Sequence, residues 1–249
     1  MVKLCSYNCN SLRNSIDIVR DLLNENDILF LQETLIYATD SNYVKRIDNR
    51  FNFFITSCHR KEGIDTGRPI GGLITFWRKE LNSFIQPILN ENNFSGFELL
   101  KDNSRYLLIN IYLPCDNRSS DNFVAFKEIL ASLSAELDNR HACKVVIIGD
   151  MNSHPNRGQY WSELNCFTDE FNFSFADILL LPENIHTFLS AVHNTVTWID
   201  HIMVSDMSSI SNVEIGYDKT IYDHFPLSCQ INFTGEFSHD THATDETTT

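Results

Sequence analysis

The 249-residue sequence has no run approaching the ~20 consecutive apolar residues needed to cross a bilayer. A membrane-spanning protein is therefore not expected. Its first residues, Met1-Val2-Lys3-Leu4-Cys5, read directly as a strand, without the apolar core of a signal peptide, so an intracellular location is expected. Cysteine is present but without a framework. Seven cysteines, an odd number at unrelated spacings, fit a reducing compartment better than a disulfide scaffold. Cys5 and Cys9 are not followed by a second pair at metal-site spacing, which argues against zinc. Cys58 beside His59 lacks the surrounding pattern that a thiol nucleophile needs.

Positive charge is also scarce: 19 Lys and Arg stand against 33 Asp and Glu, a formal net charge of −14. That is the wrong sign for a protein that holds nucleic acid by bulk electrostatics. Glu236, Asp240, Asp245 and Glu246 fall in a C-terminal stretch without Lys or Arg, and removing these four leaves −10 on the body. Binding to a polyanion would then depend on local basic groups, on divalent cations or on a larger protein, with weak intrinsic affinity and strong salt sensitivity. No repeat and no linker divides the body. With 43% hydrophobic and 12% aromatic residues, one domain over 1–233 is expected, followed by a disordered polar tail over 234–249.

What is present is a series of short apolar runs that read as buried strands, several of them ending in polar groups. Asn8 follows Lys3 to Tyr7, Glu33 follows Ile28-Leu29-Phe30-Leu31, and Asp150 with Asn152 follows Val145 to Gly149. Further strands are expected over 73–77, 107–113 and 199–204. Apolar residues at 16, 19, 22 and 23, and at 123, 126, 130, 133 and 137, predict two amphipathic helices. Near the C-terminus, Thr197-Trp198-Ile199-Asp200-His201 and Tyr222-Asp223-His224 add two acids and a histidine.

A strand end is a rigid place from which to aim a polar group into a cleft. Phosphodiester hydrolysis needs an in-line water, a group that orients or deprotonates it, and a cation that neutralises charge on the phosphate and leaving oxygen. A hard carboxylate such as Glu33 suits Mg²⁺, which often takes only one or two protein carboxylates. A histidine is useful near neutral pH when a neighbouring carboxylate fixes its tautomer. The pattern therefore points to metal-dependent phosphodiester cleavage.

The ordered set Ser6-Tyr7-Asn8, Leu31-Gln32-Glu33-Thr34, Asn110-Ile111-Tyr112-Leu113-Pro114, Gly149-Asp150-Met151-Asn152, Ile199-Asp200-His201 and Asp223-His224 resembles the endonuclease/exonuclease/phosphatase superfamily. Each piece is weak alone; six in order, spanning ~3 to ~233, are specific. Gln32-Glu33-Thr34, Gly67-Arg68-Pro69-Ile70-Gly71-Gly72 and His186-Thr187-Phe188-Leu189-Ser190 are similar to the apurinic-like endonuclease domain of non-LTR, LINE-type retrotransposons. The resemblance implies a four-layer α/β sandwich: two packed, mostly antiparallel β-sheets flanked by helices, with the active site at one end.

It also implies roles. Glu33 would bind Mg²⁺, with Mn²⁺ as a substitute, assisted by Asn8 through water or direct contact, and Asp223 would support the metal site. Asp150 and Asn152 would orient the attacking water and the phosphate, and Tyr112 would hydrogen-bond a phosphate oxygen. His224, oriented by Asp200, would face the scissile phosphate. Thr187 and Thr197 would contact the phosphate or brace the site. The expected substrate is double-stranded DNA, nicked to leave a 3′-hydroxyl and a 5′-phosphate. That 3′-hydroxyl would prime a reverse transcriptase fused to or acting with this domain in the nucleus. The isolated domain is expected to be monomeric.

Substrate choice would fall to the surface. Residues 188–197 read as a hairpin, and Val192, His193, Asn194 and Thr195 are candidate DNA-facing residues at its turn. Arg60, Lys61 and Arg68 form the most basic stretch near the cleft and are candidate phosphate contacts. His201 reads as a satisfied interior histidine. Two other functions compete. A phosphatase or RNA deadenylase of the same superfamily would keep the chemistry, although its 5-phosphatase branch carries Cys-Asp-Arg where this chain has Trp198-Ile199-Asp200-His201. A non-catalytic binding domain would be expected to have lost site groups, and this chain retains them.

Overall fold

The structure, a computed structural model, describes residues 1–60, 68–101, 103–140, 143–190, 192–219 and 223–233. The expected tail over 234–249 and Lys61 of the basic stretch lie outside the described residues. The chain begins with β1 (Val2–Asn8), α1 (Ile16–Glu25), β2 (Ile28–Gln32), α2 (Ser41–Val44), β3 (Phe51–Thr56) and β4 (Leu73–Arg78). A meander of β5 (Ile85–Asn90), β6 (Phe94–Lys101) and β7 (Ser104–Tyr112) leads through α3 (Ser120–Asp138) to β8 (Lys144–Asp150). Then come α4 (Gly158–Glu170), β9 (Ser174–Phe175), α5 (Ala176–Leu180) and the hairpin β10 (Phe188–Ser190) and β11 (Thr195–Thr197). β12 (Asp200–Val204), β13 (Ile210–Ile215) and β14 (Leu227–Ile231) close the fold.

Two six-stranded sheets form the body, ordered β13-β14-β1-β2-β4-β3 and β5-β6-β7-β8-β12-β9. Each has one parallel pair at its centre, β1 with β2 and β7 with β8, and is otherwise antiparallel. A parallel pair needs a crossover. α1 and α3 supply the two crossovers, and they are the helices that the apolar spacing predicts. α1 buries Val19, Leu22 and Leu23 among Leu29, Leu31 and Phe76 on the outer face of the first sheet. α3 starts at Ser119, whose hydroxyl accepts from Asp121 N–H at 3.2 Å, and it buries Phe126, Leu130, Leu133 and Leu137.

Between the sheets lie Leu4, Phe30, Phe97, Leu108, Ile148 and Ile202, with the Phe97 ring against Phe30, Phe54 and Trp77. Each such side chain, once fully buried, contributes about 1.5–3 kcal/mol. A polar seam crosses this apolar layer: Gln32 Nε2 donates to Asn110 Oδ1 at 2.8 Å and to Ser6 Oγ at 3.0 Å. Asn110 Nδ2 in turn donates to Leu31 O at 3.2 Å. A slip of either sheet would leave these buried donors unpaired, so the seam fixes how the sheets stack.

Several elements exceed the sequence reading. Edge and meander strands β3, β5, β6 and β13, together with β14 and helix α4, were not among the expected segments. α4 buries Tyr160, Leu164 and Phe167 against the α3 stripe, but polar residues break up its pattern. Register carries the fold to the site. Asn8 pairs with Gln32, Tyr112 with Asp150, and Asp150 with Asp200, so the central strands of both sheets end in polar groups.

Candidate active site

These strand ends meet across the sandwich. Asn8 Nδ2 donates to Asp150 Oδ2 at 2.9 Å and to Glu33 Oε1 at 3.0 Å, joining the two sheets at one point. Tyr112 donates its hydroxyl to the same Glu33 oxygen at 3.0 Å. Asp150 Oδ1 accepts the Asn152 backbone N–H at 3.0 Å, and Asn152 Nδ2 donates to Leu113 O at 2.8 Å. On the other side, His224 Nδ1 lies 3.0 and 3.2 Å from the two Asp200 carboxylate oxygens, and Nε2 faces Asp150 Oδ2 at 3.7 Å.

Two of these residues hold left-handed backbones, a conformation that Asn tolerates and Glu does not. Glu33 and Asn152 both have φ of 48°, a left-handed conformation in which side chains other than glycine are uncommon. Such strain persists only where the surroundings enforce it. Glu33 sits in a turn tied by Ser11 N–H to Glu33 O (2.9 Å), Thr34 N–H to Gly72 O (3.1 Å) and Leu35 N–H to Gly71 O (3.1 Å). Gly72 itself has φ of 86°, and a Cβ there would meet Thr34 Oγ1 at 2.9 Å. The Gly71-Gly72 pair thus braces the turn that aims Glu33.

The electrostatics follow from burial and crowding. Burial raises the Asp150 carboxyl above the usual range; the facing His224 opposes this, and the Asp200 charge adds to it. Burial alone would lower His224, but the Asp200 and Asp150 charges and the Asp200 hydrogen bond outweigh it, so the imidazole is held protonated. Burial and the nearby Glu33 and Asp150 charges raise Tyr112, which keeps its phenol a donor. An acid that takes up a proton more readily than usual, beside a cationic imidazole, can move a proton from water and present positive charge to an anion.

The donor set fits a hard divalent cation. Among the described residues, Asp223 Oδ1 is buried without a hydrogen-bond partner, and both contacts to Glu33 fall on Oε1 and none on Oε2. A buried carboxylate oxygen without a partner, such as Asp223 Oδ1, is costly, and a divalent cation would satisfy it. Asp150, Asp200 and His224 also bring ligand-type atoms within 4.8 Å of one another and could hold an ion. In that group, however, both Asp200 oxygens already face the His224 ring. Asn8 turns its amide N–H groups toward the carboxylates, and its Oδ1 accepts from Asn10 N–H at 3.1 Å. Of the two contacts expected for Asn8, this orientation disfavours direct ligation through Oδ1.

Thr187 is fully buried, and its Oγ1 accepts the backbone N–H of Ile199 (3.0 Å) and Asp200 (2.9 Å). Its backbone pairs with Thr197 O and Phe225 N–H, so the base of the hairpin, the start of β12 and the His224 segment share one anchor. Leu189 N–H donates to Asp223 O at 2.7 Å, and the Phe188 ring packs on His224 at 4.9 Å between centroids. β10–β11 stands on the Asp223-His224 segment. Val192, His193, Asn194 and Thr195 are all exposed at its turn, Val192 by 89%. Arg68 is exposed and donates to Asn10 Oδ1 and Asn10 O, two residues from Asn8, whereas Arg60 donates to Tyr37 Oη at 3.2 Å. Asp177 was missed by sequence reading. It receives Trp198 Nε1 at 2.8 Å and faces His201 Nδ1 at 2.7 Å, but its position on a short helix after a two-residue strand offered no periodic signal.

Two six-stranded sheets flanked by helices, with carboxylates, amides and a histidine gathered at one end, define the phosphoesterase-type α/β sandwich. Residues 5–226 match the model of the Endonuclease/Exonuclease/phosphatase family, and the chain belongs to that family. Its members are typically metal-dependent phosphodiesterases and nucleases. No curated protein matches the sequence. Among solved structures it is similar to AP endonuclease LMAP from Leishmania major, with a TM-score of 0.75 and 15% identity over 94% of this chain and 88% of that one. It is also similar to the 3′ phosphatase NExo from Neisseria bound to product DNA hairpin, with a TM-score of 0.72 and 15% identity over 94% of this chain and all of that one. The endonuclease domain of TRAS1, a telomere-specific non-LTR retrotransposon, gives a TM-score of 0.66 and 11% identity over 94% and 100% of the two chains. At these identities the likeness is one of fold. Among the described residues, no helix is long and apolar enough to cross a membrane.

Proposed function

We propose that the chain is a divalent-metal-dependent DNA endonuclease that nicks one strand and leaves a 3′-hydroxyl and a 5′-phosphate. The observation that carries this reading is the convergence of Glu33, Asp150, Asp200 and His224 beside an exposed hairpin anchored on the Asp223-His224 segment. Glu33 and Asp223 would hold the cation, which when bound would supply positive charge to the phosphate and the leaving oxygen. Asp150, fixed by Asn8 and by the Asn152 backbone, orients the attacking water and accepts its proton. His224, held by Asp200, points Nε2 at a phosphate oxygen and donates to it, and Tyr112 supplies a second donor. Without a cation, four carboxylates would repel a phosphate. That repulsion supports Mg²⁺ or Mn²⁺ as part of the working site.

Double-stranded DNA is the substrate that the hairpin favours. A two-stranded projection with an exposed Val192 at its tip suits a groove, whereas a small phosphate ester needs a closed pocket. The resulting 3′-hydroxyl would serve a reverse transcriptase acting with this domain, a reading that the fold of the TRAS1 domain supports. The test is nicking of supercoiled plasmid at low salt with Mg²⁺, comparing wild type with Glu33→Ala, followed by primer extension from the nicks. Extendable ends that vanish in the variant are the expected result. Release of phosphate from a 3′-phosphorylated end, without nicking, would replace this reading with a phosphatase.

A further inference from the structure

One buried charged group lies outside the chemistry assigned above. His201 is fully buried, and each ring nitrogen faces an oxygen: Nδ1 is 2.7 Å from Asp177 Oδ2 and Nε2 is 2.8 Å from Ser153 O. A carbonyl oxygen only accepts. Asp177 also takes Trp198 Nε1 on Oδ2 and Ile202 N–H on Oδ1, at 2.8 and 2.9 Å, so it is an ionised acceptor. With acceptors on both sides, the ring must carry two protons. Its surroundings suit a cation: ring centroids of Phe175, Trp161 and Trp198 lie 5.3, 5.8 and 6.1 Å away, the last nearly parallel.

We propose that His201 is a positioning residue, an aromatic-caged imidazolium that clamps the turn 151–153 onto α5 and β12 and thereby holds Asp150 and Asn152 at the reaction centre. The assignment rests on the phosphodiesterase reading of that centre. The geometry leaves little slack. Ser153 is the residue after Asn152, which carries the left-handed φ of 48°, and His201 is the residue after Asp200, whose register partner is Asp150. One ring therefore ties together the strand that orients His224 and the turn that carries Asn152. Met151 N–H to Ile199 O, 2.9 Å, fixes the start of the turn and Asn152 Nδ2 to Leu113 O, 2.8 Å, its middle, and the His201 contact on Ser153 O ties its end.

The experiment compares wild type, His201→Ala and His201→Gln. Steady-state nicking, Mn²⁺ affinity and backbone hydrogen exchange would be read on each folded protein. In His201→Ala, kcat is expected to fall ~10- to 100-fold with KM little changed, as for a misplaced reacting group. Mn²⁺ affinity should hold, and faster exchange should be confined to the turn after β8. His201→Gln, which can still donate to Ser153 O, should recover part of the lost kcat. A folded His201→Ala with wild-type kcat, or protection lost evenly across both sheets, would overturn the proposal. If the alanine variant does not fold, His201→Gln and Asp177→Asn carry the same readouts. Should wild type cleave no phosphodiester, the reading of the centre fails, while the exchange pattern still decides whether His201 holds the turn.

Discussion

The His224 imidazole lies between two buried aspartates, 3.0 Å from the nearer Asp200 oxygen through Nδ1 and 3.7 Å from Asp150 through Nε2. Asp200 is the orienting partner and Asp150 faces the reacting side. Replacing Asp200 with asparagine keeps the shape but removes the charge that holds the imidazolium protonated and oriented. The turnover of Asp200→Asn is therefore expected to fall roughly 10²- to 10⁴-fold, with DNA affinity unchanged. Single-turnover cleavage alongside a binding titration separates the two; a variant that loses affinity instead would make Asp200 a binding residue.

Metal binding should divide the acids into two groups. Glu33→Gln and Asp223→Asn remove oxygens that the protein leaves without partners, whereas His224→Gln removes none. Mn²⁺ titration followed by electron paramagnetic resonance is expected to show at least about tenfold weaker binding in the first two and near wild-type binding in the third. Loss of affinity in His224→Gln alone would move the ion to the Asp150–Asp200–His224 group.

How far the sequence carries depends on what each signal measures. Strand-end polar groups such as Glu33 and Asp150 are legible because an apolar run ending in a carboxylate is locally unusual. α1 and α3 are legible because burial on one face imposes a 3.6-residue spacing. The stacking of the sheets is not, since the Gln32–Asn110 bond joins residues 78 apart and the motifs that contain them do not say that they touch. The φ of 48° at Glu33 is equally hidden: it is imposed by Gly71 and Gly72 from a different part of the chain. Asp177 and His201 fall in the same class. His201 reads as a satisfied interior histidine, but the two acceptors that satisfy it are not legible in the sequence.

The hairpin should govern where the DNA is cut rather than how fast. Val192 is exposed at its tip, and the base is tied to Asp223 and Thr187, so the projection is anchored at the site end. Exchanging residues 192–195 for a Gly-Ser turn of equal length is expected to broaden the distribution of nick positions while keeping total nicking within about fivefold. Sequencing of nick positions on one plasmid measures both. An unchanged distribution would remove the hairpin from target selection.

Gly149 sets the approach of β7 to β8 beside Asp150. A Cβ at this position would lie 1.9 Å from Ile111 O, a backbone atom that cannot move without breaking the parallel pairing. Gly149→Ala is expected to cost about 3–4 kcal/mol, on the order of 10 °C in Tm for a domain of this size. Thermal unfolding by circular dichroism measures it, and a loss under about 2 °C would mean that the strands separate easily at this point.

The charge on His201 also gives stability a pH dependence of known sign. Burial by itself would lower this histidine, but the Asp177 charge and hydrogen bond, the Ser153 carbonyl and Asp200 together raise it above its ordinary value. The groups that bear on it are Asp177 on α5, Asp200 on β12 and, from the loop after β8, His154. A histidine raised on folding binds its proton more tightly in the folded chain, so its contribution is fully present below the unfolded value near 6.5 and is lost as pH climbs through the folded one. Comparing wild type with His201→Phe removes the charge and leaves Asp177 without its cationic partner, although Trp198 and Ile202 still donate to it, a change expected to cost about 3–5 kcal/mol near pH 6. The gap in unfolding free energy should narrow as pH rises above 6.5. A gap that is constant from pH 6 to 9, measured by denaturant titration, would mean that the ring titrates alike in the folded and unfolded chain, and a gap that widens would mean that it is buried neutral.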